Sequence, residues 1–315
     1  MPSNTFILCP GQGAQTIAMG KDLCGAARAA AEVFALADRI LGHSLSSICF
    51  DGPEERLNQT DISQPALYTA GVASFRAAEH AGVLDPSVVT AYAGLSLGEY
   101  TALHLAGVFS FEDGLKLVAA RGRYMQEAAV GTPGGMVAIL GADENAIDAL
   151  CAAAADGEVL VPANLNAPGQ IVVSGSKGAC DRVLKAAETA GFKAMALKVA
   201  GAFHSPLMQS AADRMGDELA AVTFSAPNVT VFSNVTALPH GDVASIKQRL
   251  VEQIVSPVQW ERTMKGLIAI DEQARFVELC PGRTLAGLAK RISRRLPIES
   301  VATAEALVVK NANPA

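Results

Sequence analysis

Ser96 stands between two glycines in Gly94-Leu95-Ser96-Leu97-Gly98, a spacing that suits a nucleophile on a sharp strand-to-helix turn. The glycines allow the turn and keep side chains away from the hydroxyl. A helix starting just after the serine would aim its N-terminal amides at an oxyanion formed on an attacked carbonyl. The same residues also read as an ordinary helix start. Serine is a favoured N-cap, and Glu99, three residues on, completes a capping box. The pattern alone leaves both readings open.

A serine hydroxyl attacks only with a base beside it, and the chain has five histidines. His104 lies two turns down the helix that follows Ser96 and points the wrong way. His43 and His80 fall at helix ends, and His240 lies in the turn Leu238-Pro239-His240-Gly241-Asp242. His204, in Gly201-Ala202-Phe203-His204-Ser205-Pro206, lies at a junction between two textures of sequence, where clefts form; a structural loop histidine is the alternative. Arg121 lies between Ala120 and Gly122 after an apolar stripe. Facing a cleft, its guanidinium would bind a carboxylate bidentately; otherwise it snorkels at the surface, as expected of Arg123. The loop Cys9-Pro10-Gly11-Gln12-Gly13-Ala14-Gln15 offers exposed amides, but Thr16 occupies the place where a dinucleotide-binding loop needs its third glycine.

These residues need a scaffold, and the pattern predicts an α/β one. A strand over Thr5–Cys9 precedes helices over about 18–41 and 63–82. A short strand then delivers Ser96 to a helix over 98–107, and another helix covers 111–129. Such alternation implies a mostly parallel sheet covered by helices. From Gly131-Thr132-Pro133-Gly134 the order becomes strand 136–140, helix 143–155, strands 158–163 and 170–174, helix 176–190 and strand 193–199. That β-α-β-β-α-β order is ferredoxin-like. Helix 206–221, strand 229–233, helices 244–254 and 260–270, strand 275–279 and a last helix from 284 complete the chain, with a frayed tail at 308–315. The expected organisation is a discontinuous large domain, 1–131 and 201–315, with a small domain, 132–200, inserted in it.

Half of the 315 residues are apolar and 18% are charged, which excludes a disordered chain. The apolar runs are too broken for a membrane span, and the N-terminus lacks the basic and apolar regions of a secretory signal. A formal charge of −6 argues against nucleic acid as the main partner. Six scattered cysteines with no C-x-x-C pair point to reduced thiols in the cytoplasm. No metal-binding motif occurs, so neither a metal nor a tightly bound cofactor is expected.

The motifs PGQGAQ, GLSLGEY, RGRYMQEA, NLNAPGQIVVSG, GAFHSPLM, PVQW and ELCPGRTLAGLAKRI occur in an order and spacing that resemble the malonyl-CoA:acyl-carrier-protein transacylase family of type II fatty-acid synthesis. The resemblance runs from about residue 5 to 295. It implies a hydrolase-like α/β domain with a ferredoxin-like insertion, a malonyl-CoA substrate and holo acyl carrier protein as partner, in a monomer. Ser96 would be the nucleophile and His204 its base and then acid. The amides of Gln12 and Leu97 would form an oxyanion hole, and Arg121 would hold the malonyl carboxylate. Gln259 lies where the family uses a main-chain carbonyl to orient the histidine, giving a Ser-His dyad. Phe203 resembles the residue that crowds the α-carbon, and Asn166, within NLNAPGQ, is a further substrate-binding candidate. Leu95 departs from the pattern, because the family usually has histidine there; pocket polarity, substrate choice and wasteful hydrolysis could all change with it.

Other readings of the same residues are a polyketide-pathway acyltransferase or acyl-hydrolase of this fold, a general esterase, and a non-catalytic subunit that binds the carrier. The esterase lacks its H-G-G-G-like loop and its order of Ser, acid, His. For an acidic carrier, Lys185, Lys193, Lys198 and the run at 290–295 are docking candidates, each also readable as a solvated helix face.

Overall fold

The computed structural model describes residues 4–308; the expected fraying of the tail falls largely on residues 309–315, outside them. The described residues form nine strands: β1 (Thr5–Cys9), β2 (Val89–Gly94), β3 (Gly134–Leu140), β4 (Leu160–Ala167), β5 (Gln170–Ser176), β6 (Lys193–Ala196), β7 (Thr230–Val231), β8 (Arg275–Glu278) and β9 (Ile298–Ser300). They make two sheets, ordered β7-β2-β1-β8-β9 and β4-β5-β3-β6.

Every pairing in the five-stranded sheet is parallel. β1 lies at its centre and is buried throughout, as its apolar run Phe6-Ile7-Leu8-Cys9 requires of a strand covered on both faces. Cys9 pairs with Gly94, so β1 and β2 end side by side at the carboxyl edge of the sheet. That edge is where open α/β sheets gather their ligands. Two loops leave it together, Pro10–Gly13 from β1 and the Ser96 elbow from β2. They touch backbone to backbone: the Leu95 amide donates to the Cys9 carbonyl at 3.0 Å. A Cβ on Gly11 would stand 2.1 Å from the Leu95 carbonyl oxygen, and one on Gly98 would stand 2.0 Å from that of Cys9. Only glycine permits this approach.

Helices Trp260–Ile270 and Thr284–Ile292 share a core with one face of this sheet, at Phe6, Leu8 and Ala93, and helices Arg28–Leu41, Thr60–His80 and Phe111–Gly131 share one with the other, at Ile7, Cys9 and Tyr92. Helix Thr60–His80 is buried almost all round, which explains its lack of a polar stripe. The four-stranded sheet is antiparallel throughout. With helices Glu144–Ala155 and Lys177–Thr189 it encloses its own core of Val137, Ile139, Ile147, Val173 and Val183. It is tied to the rest of the molecule at Val258, whose amide donates to Ala163 and whose carbonyl accepts from Leu165, both at 2.9 Å.

The expected elements are present, with shifted ends and a few additions. The helix expected over 18–41 breaks where Ala27 turns extended, giving Lys21–Ala26 and Arg28–Leu41. Helices Leu45–Asp51 and Glu54–Leu57 and strand β9 were not expected; each is short, with too few residues to establish a period. No described helix is long and apolar enough to cross a membrane.

Candidate active site

Ser96 has φ 52° and His204 has φ 58°. Both lie in the left-handed region, where a non-glycine residue costs on the order of 1–3 kcal/mol unless its surroundings hold it. Asn234 holds the elbow. Its Oδ1 accepts from the Ser96 amide and its Nδ2 donates to the Gly94 carbonyl, each at 2.6 Å. The following helix, Gly98–Leu105, has Leu97 as its N-cap and no side-chain cap. The capping-box reading therefore fails: Glu99 turns instead to Gln253, Asn234 and His240.

Ser96 Oγ lies 2.8 Å from His204 Nε2, and His204 Nδ1 lies 2.7 Å from the Gln253 carbonyl oxygen. A carbonyl only accepts, so Nδ1 carries the proton and Nε2 presents its lone pair to the serine. Burial first, and then the Arg121 charge, push the His204 pKa down to about 4, against the carbonyls of Gln253 and Ser256, which favour the protonated ring. The imidazole is thus neutral near pH 7 and able to act as a base.

The orienting carbonyl corrects one expectation. It belongs to Gln253, not Gln259. The Gln259 carbonyl starts the helix Trp260–Ile270, accepting from Thr263 at 2.9 Å, and its side chain bonds Arg262. Gln253 lies in the last turn of helix Val243–Val255, and the residue four places on is Pro257, which has no N–H. Its carbonyl is therefore left for the histidine. Proline at that spacing is a signal already present in the sequence.

Arg121 lies on helix Phe111–Gly131 and is 1% exposed. Nη1 donates to Gln64 Oε1 at 2.7 Å, and Nη2 donates to Gln253 Oε1 at 2.9 Å and Ser96 Oγ at 3.1 Å. The guanidinium carbon stands 5.6 Å from the centre of the Tyr100 ring. These polar partners are amide oxygens and a hydroxyl, with no carboxylate among them, and Nε has no partner among the described residues. A buried cation held by neutral groups next to a nucleophile is built to receive an anion.

The other predicted residues lie as follows. Leu97 is buried at the start of the elbow helix, and Gln12 is half-buried in the loop after β1, its side chain 3.4 Å from Thr60 Oγ1. Phe203 is buried beside His204. Asn166 is on β4, half-buried, with Oδ1 unpartnered among the described residues; no hydrogen bond joins it to the dyad. His104 bonds the Phe109 carbonyl at 3.0 Å and stacks among aromatic rings, a structural role. Gln64, Asn234 and Gln253 were not anticipated. Single polar residues in apolar surroundings are their only mark in the sequence.

Residues 5–308 match the acyl transferase domain model. The chain is 43% identical to the malonyl CoA-acyl carrier protein transacylase of Salmonella typhimurium, over 90% of this chain and 91% of that one. It is 39% identical to that of Bacillus subtilis, over 97% and 95%. The chain belongs to the malonyl-CoA:acyl-carrier-protein transacylase family of acyl transferases.

Its fold agrees. The transacylase structure from Coxiella burnetii superposes with a TM-score of 0.92 at 41% identity, covering 98% of this chain and 96% of that one. A malonyl-transacylase solved in complex with a type II polyketide acyl carrier protein gives 0.90 at 37% identity, covering 96% and 97%. Leu95, the residue before Ser96, is only half-buried. That residue packs against the apolar cluster containing Phe6, Leu8, Ala93 and Leu285.

Proposed function

We propose that this acyltransferase moves a malonyl group from malonyl-CoA to the phosphopantetheine thiol of holo acyl carrier protein, through a malonyl ester of Ser96, for fatty-acid chain elongation. The observation that carries the reading is Arg121, a buried guanidinium without a carboxylate partner, in contact with the nucleophilic oxygen. A carboxylate-bearing acyl group supplies the missing anion. An acetyl group leaves the buried charge unpaired and is rejected for that reason.

In the first half-reaction His204 Nε2 takes the Ser96 proton as Oγ attacks the thioester carbonyl. The C–S bond then breaks, and His204 returns the proton to the CoA thiolate. In the second half the carrier thiol gives its proton to His204 and attacks the ester, and Ser96 leaves with that proton. Both halves pass through an oxyanion. The Gln12 and Leu97 amides serve it, and one such donor is worth about 3–4 kcal/mol. Phe203 and Asn166 line the acyl pocket, Phe203 limiting bulk at the α-carbon. The chemistry needs no resident cofactor or metal, since base, anion holder and oxyanion donors all come from the chain.

The boundaries at 131/132 and 200/201 fit this reading, with His204 just inside the returning large domain. The chain acts as a monomer in the cytoplasm, where its six free cysteines stay reduced. Exposed Lys185, Lys193 and Lys198 and the 290–295 run supply positive charge for an acidic carrier. The complex of a 37%-identical relative with a polyketide carrier favours a second reading, in which the carrier belongs to polyketide assembly. Initial rates at varied malonyl-CoA and carrier concentrations test the mechanism. Parallel double-reciprocal lines are expected, and intersecting lines would contradict an ester intermediate.

A further inference from the structure

Glu99 is the second residue of the elbow helix, and its carboxylate is wholly buried. Oε2 accepts from Gln253 Nε2 at 2.5 Å and from the Asn234 amide at 3.2 Å. Oε1 lies 2.6 Å from His240 Nε2, on a ring whose side chain is 1% exposed. The Glu99 backbone amide donates to the Ser96 carbonyl at 3.1 Å, but neither side chain bonds Ser96, His204 or Arg121; the Glu99 carboxylate instead bonds two residues that do. Asn234 pins the Ser96 amide. Gln253 accepts from Arg121 through Oε1, accepts from His204 through its carbonyl, and donates to the Ser96 carbonyl at 3.0 Å.

The Gln253 side chain is the sensitive part. A carboxamide fits its site almost equally well after a half-turn that exchanges O and NH2. Flipped, Gln253 would aim its NH2 at the Arg121 guanidinium and its oxygen at the Glu99 carboxylate, setting donor on donor and acceptor on acceptor. Both hydrogens of the observed Nε2 have acceptors, Ser96 O and Glu99 Oε2. Glu99 thus selects the orientation that gives Arg121 an oxygen, and His240 holds Glu99 in place.

We propose that Glu99 and His240 are a positioning pair which fixes the Gln253 amide, keeps Arg121 aimed at the acyl pocket, and thereby sets the preference for a carboxylate-bearing acyl group. This rests on the malonyl reading above. A loosened Gln253 harms transfer of an acyl group that needs Arg121 more than transfer of one that does not.

The test uses the full chain and measures Ser96 acylation rates with malonyl-CoA and acetyl-CoA in four variants. Glu99→Ala removes the acceptor, whereas Glu99→Gln keeps an oxygen for Gln253 and Asn234. His240→Leu removes the ring N–H, whereas His240→Gln keeps an N–H at similar reach. The malonyl-to-acetyl rate ratio should fall about tenfold or more in Glu99→Ala and in the same direction in His240→Leu. It should stay within about twofold of wild type in the two glutamine variants. Equal loss with both acyl groups marks a merely structural role and overturns the proposal, as does an unchanged ratio in the alanine and leucine variants. Glu99→Gln behaving like Glu99→Ala would overturn it too, because charge rather than position would then matter. Should Glu99→Ala fail to fold, the His240 pair decides. Wild type that takes up acetyl but no malonyl sinks the malonyl reading itself, whereas normal wild-type malonylation with unmoved ratios sinks only the positioning pair.

Discussion

Arg121 donates to Ser96 Oγ at 3.1 Å while the same hydroxyl faces His204 Nε2 at 2.8 Å. One oxygen joins the imidazole to the guanidinium, and Gln253 bonds both groups. Under the proposed function, a malonyl group on Ser96 carries its carboxylate beside Arg121.

Arg121→Ala should lower the malonyl-CoA acylation rate about 100-fold, the scale of a lost charged hydrogen-bond pair, while acetyl transfer holds or improves. Single-turnover rates with the two acyl-CoAs check this. Equal loss with both would remove Arg121 from carboxylate recognition.

The pH dependence follows from His204, whose pKa falls to about 4. The base is therefore available throughout the neutral range, and kcat/KM for malonyl-CoA should stay level down to about pH 5 and decline near pH 4. A pH–rate profile whose acid limb is centred near the ordinary histidine value contradicts the burial argument.

The same shift has a consequence for stability. The unfolded chain protonates His204 at an ordinary pKa of about 6.5, whereas the folded chain resists protonation until about pH 4. Between those values the unfolded state binds more protons, so stability falls as pH falls. From pH 6.5 to 5 the contribution is about 2 kcal/mol. Urea unfolding of wild type and His204→Gln at the two pH values isolates it: the wild type should lose more.

Asn234→Ala should release the elbow. Two buried hydrogen bonds of 2.6 Å disappear, leaving the Ser96 amide and the Gly94 carbonyl unpaired at a cost of about 1–3 kcal/mol each. Thermal unfolding should move down, and Ser96 acylation should slow more than CoA binding weakens. A variant with normal acylation would show that the strained Ser96 backbone stands without Asn234.

What the sequence disclosed follows from how locally each feature is encoded. Ser96 and its glycines lie within five residues, the ferredoxin-like order lies in one stretch, and Arg121 stands out as a charge on an apolar helix. Features built from contacts across the chain were harder to see. Asn234 meets Ser96 from 138 residues away and Gln253 meets Arg121 from 132, and no local period marks them. His240 read as a turn residue because its partner, Glu99, comes from another element. The orienting carbonyl was misplaced by six residues for a comparable reason. A main-chain group has no side-chain signature, and only Pro257, by withholding an N–H, points to Gln253.

The central claim is tested most directly by the intact mass of the protein after mixing with malonyl-CoA, with and without holo acyl carrier protein, beside Ser96→Ala. The expected result is one malonyl adduct on the wild type, none on Ser96→Ala, and discharge of that adduct onto the carrier. Wild type that takes no label, or label that drains to free malonate at the same rate whether or not the carrier is present, contradicts it.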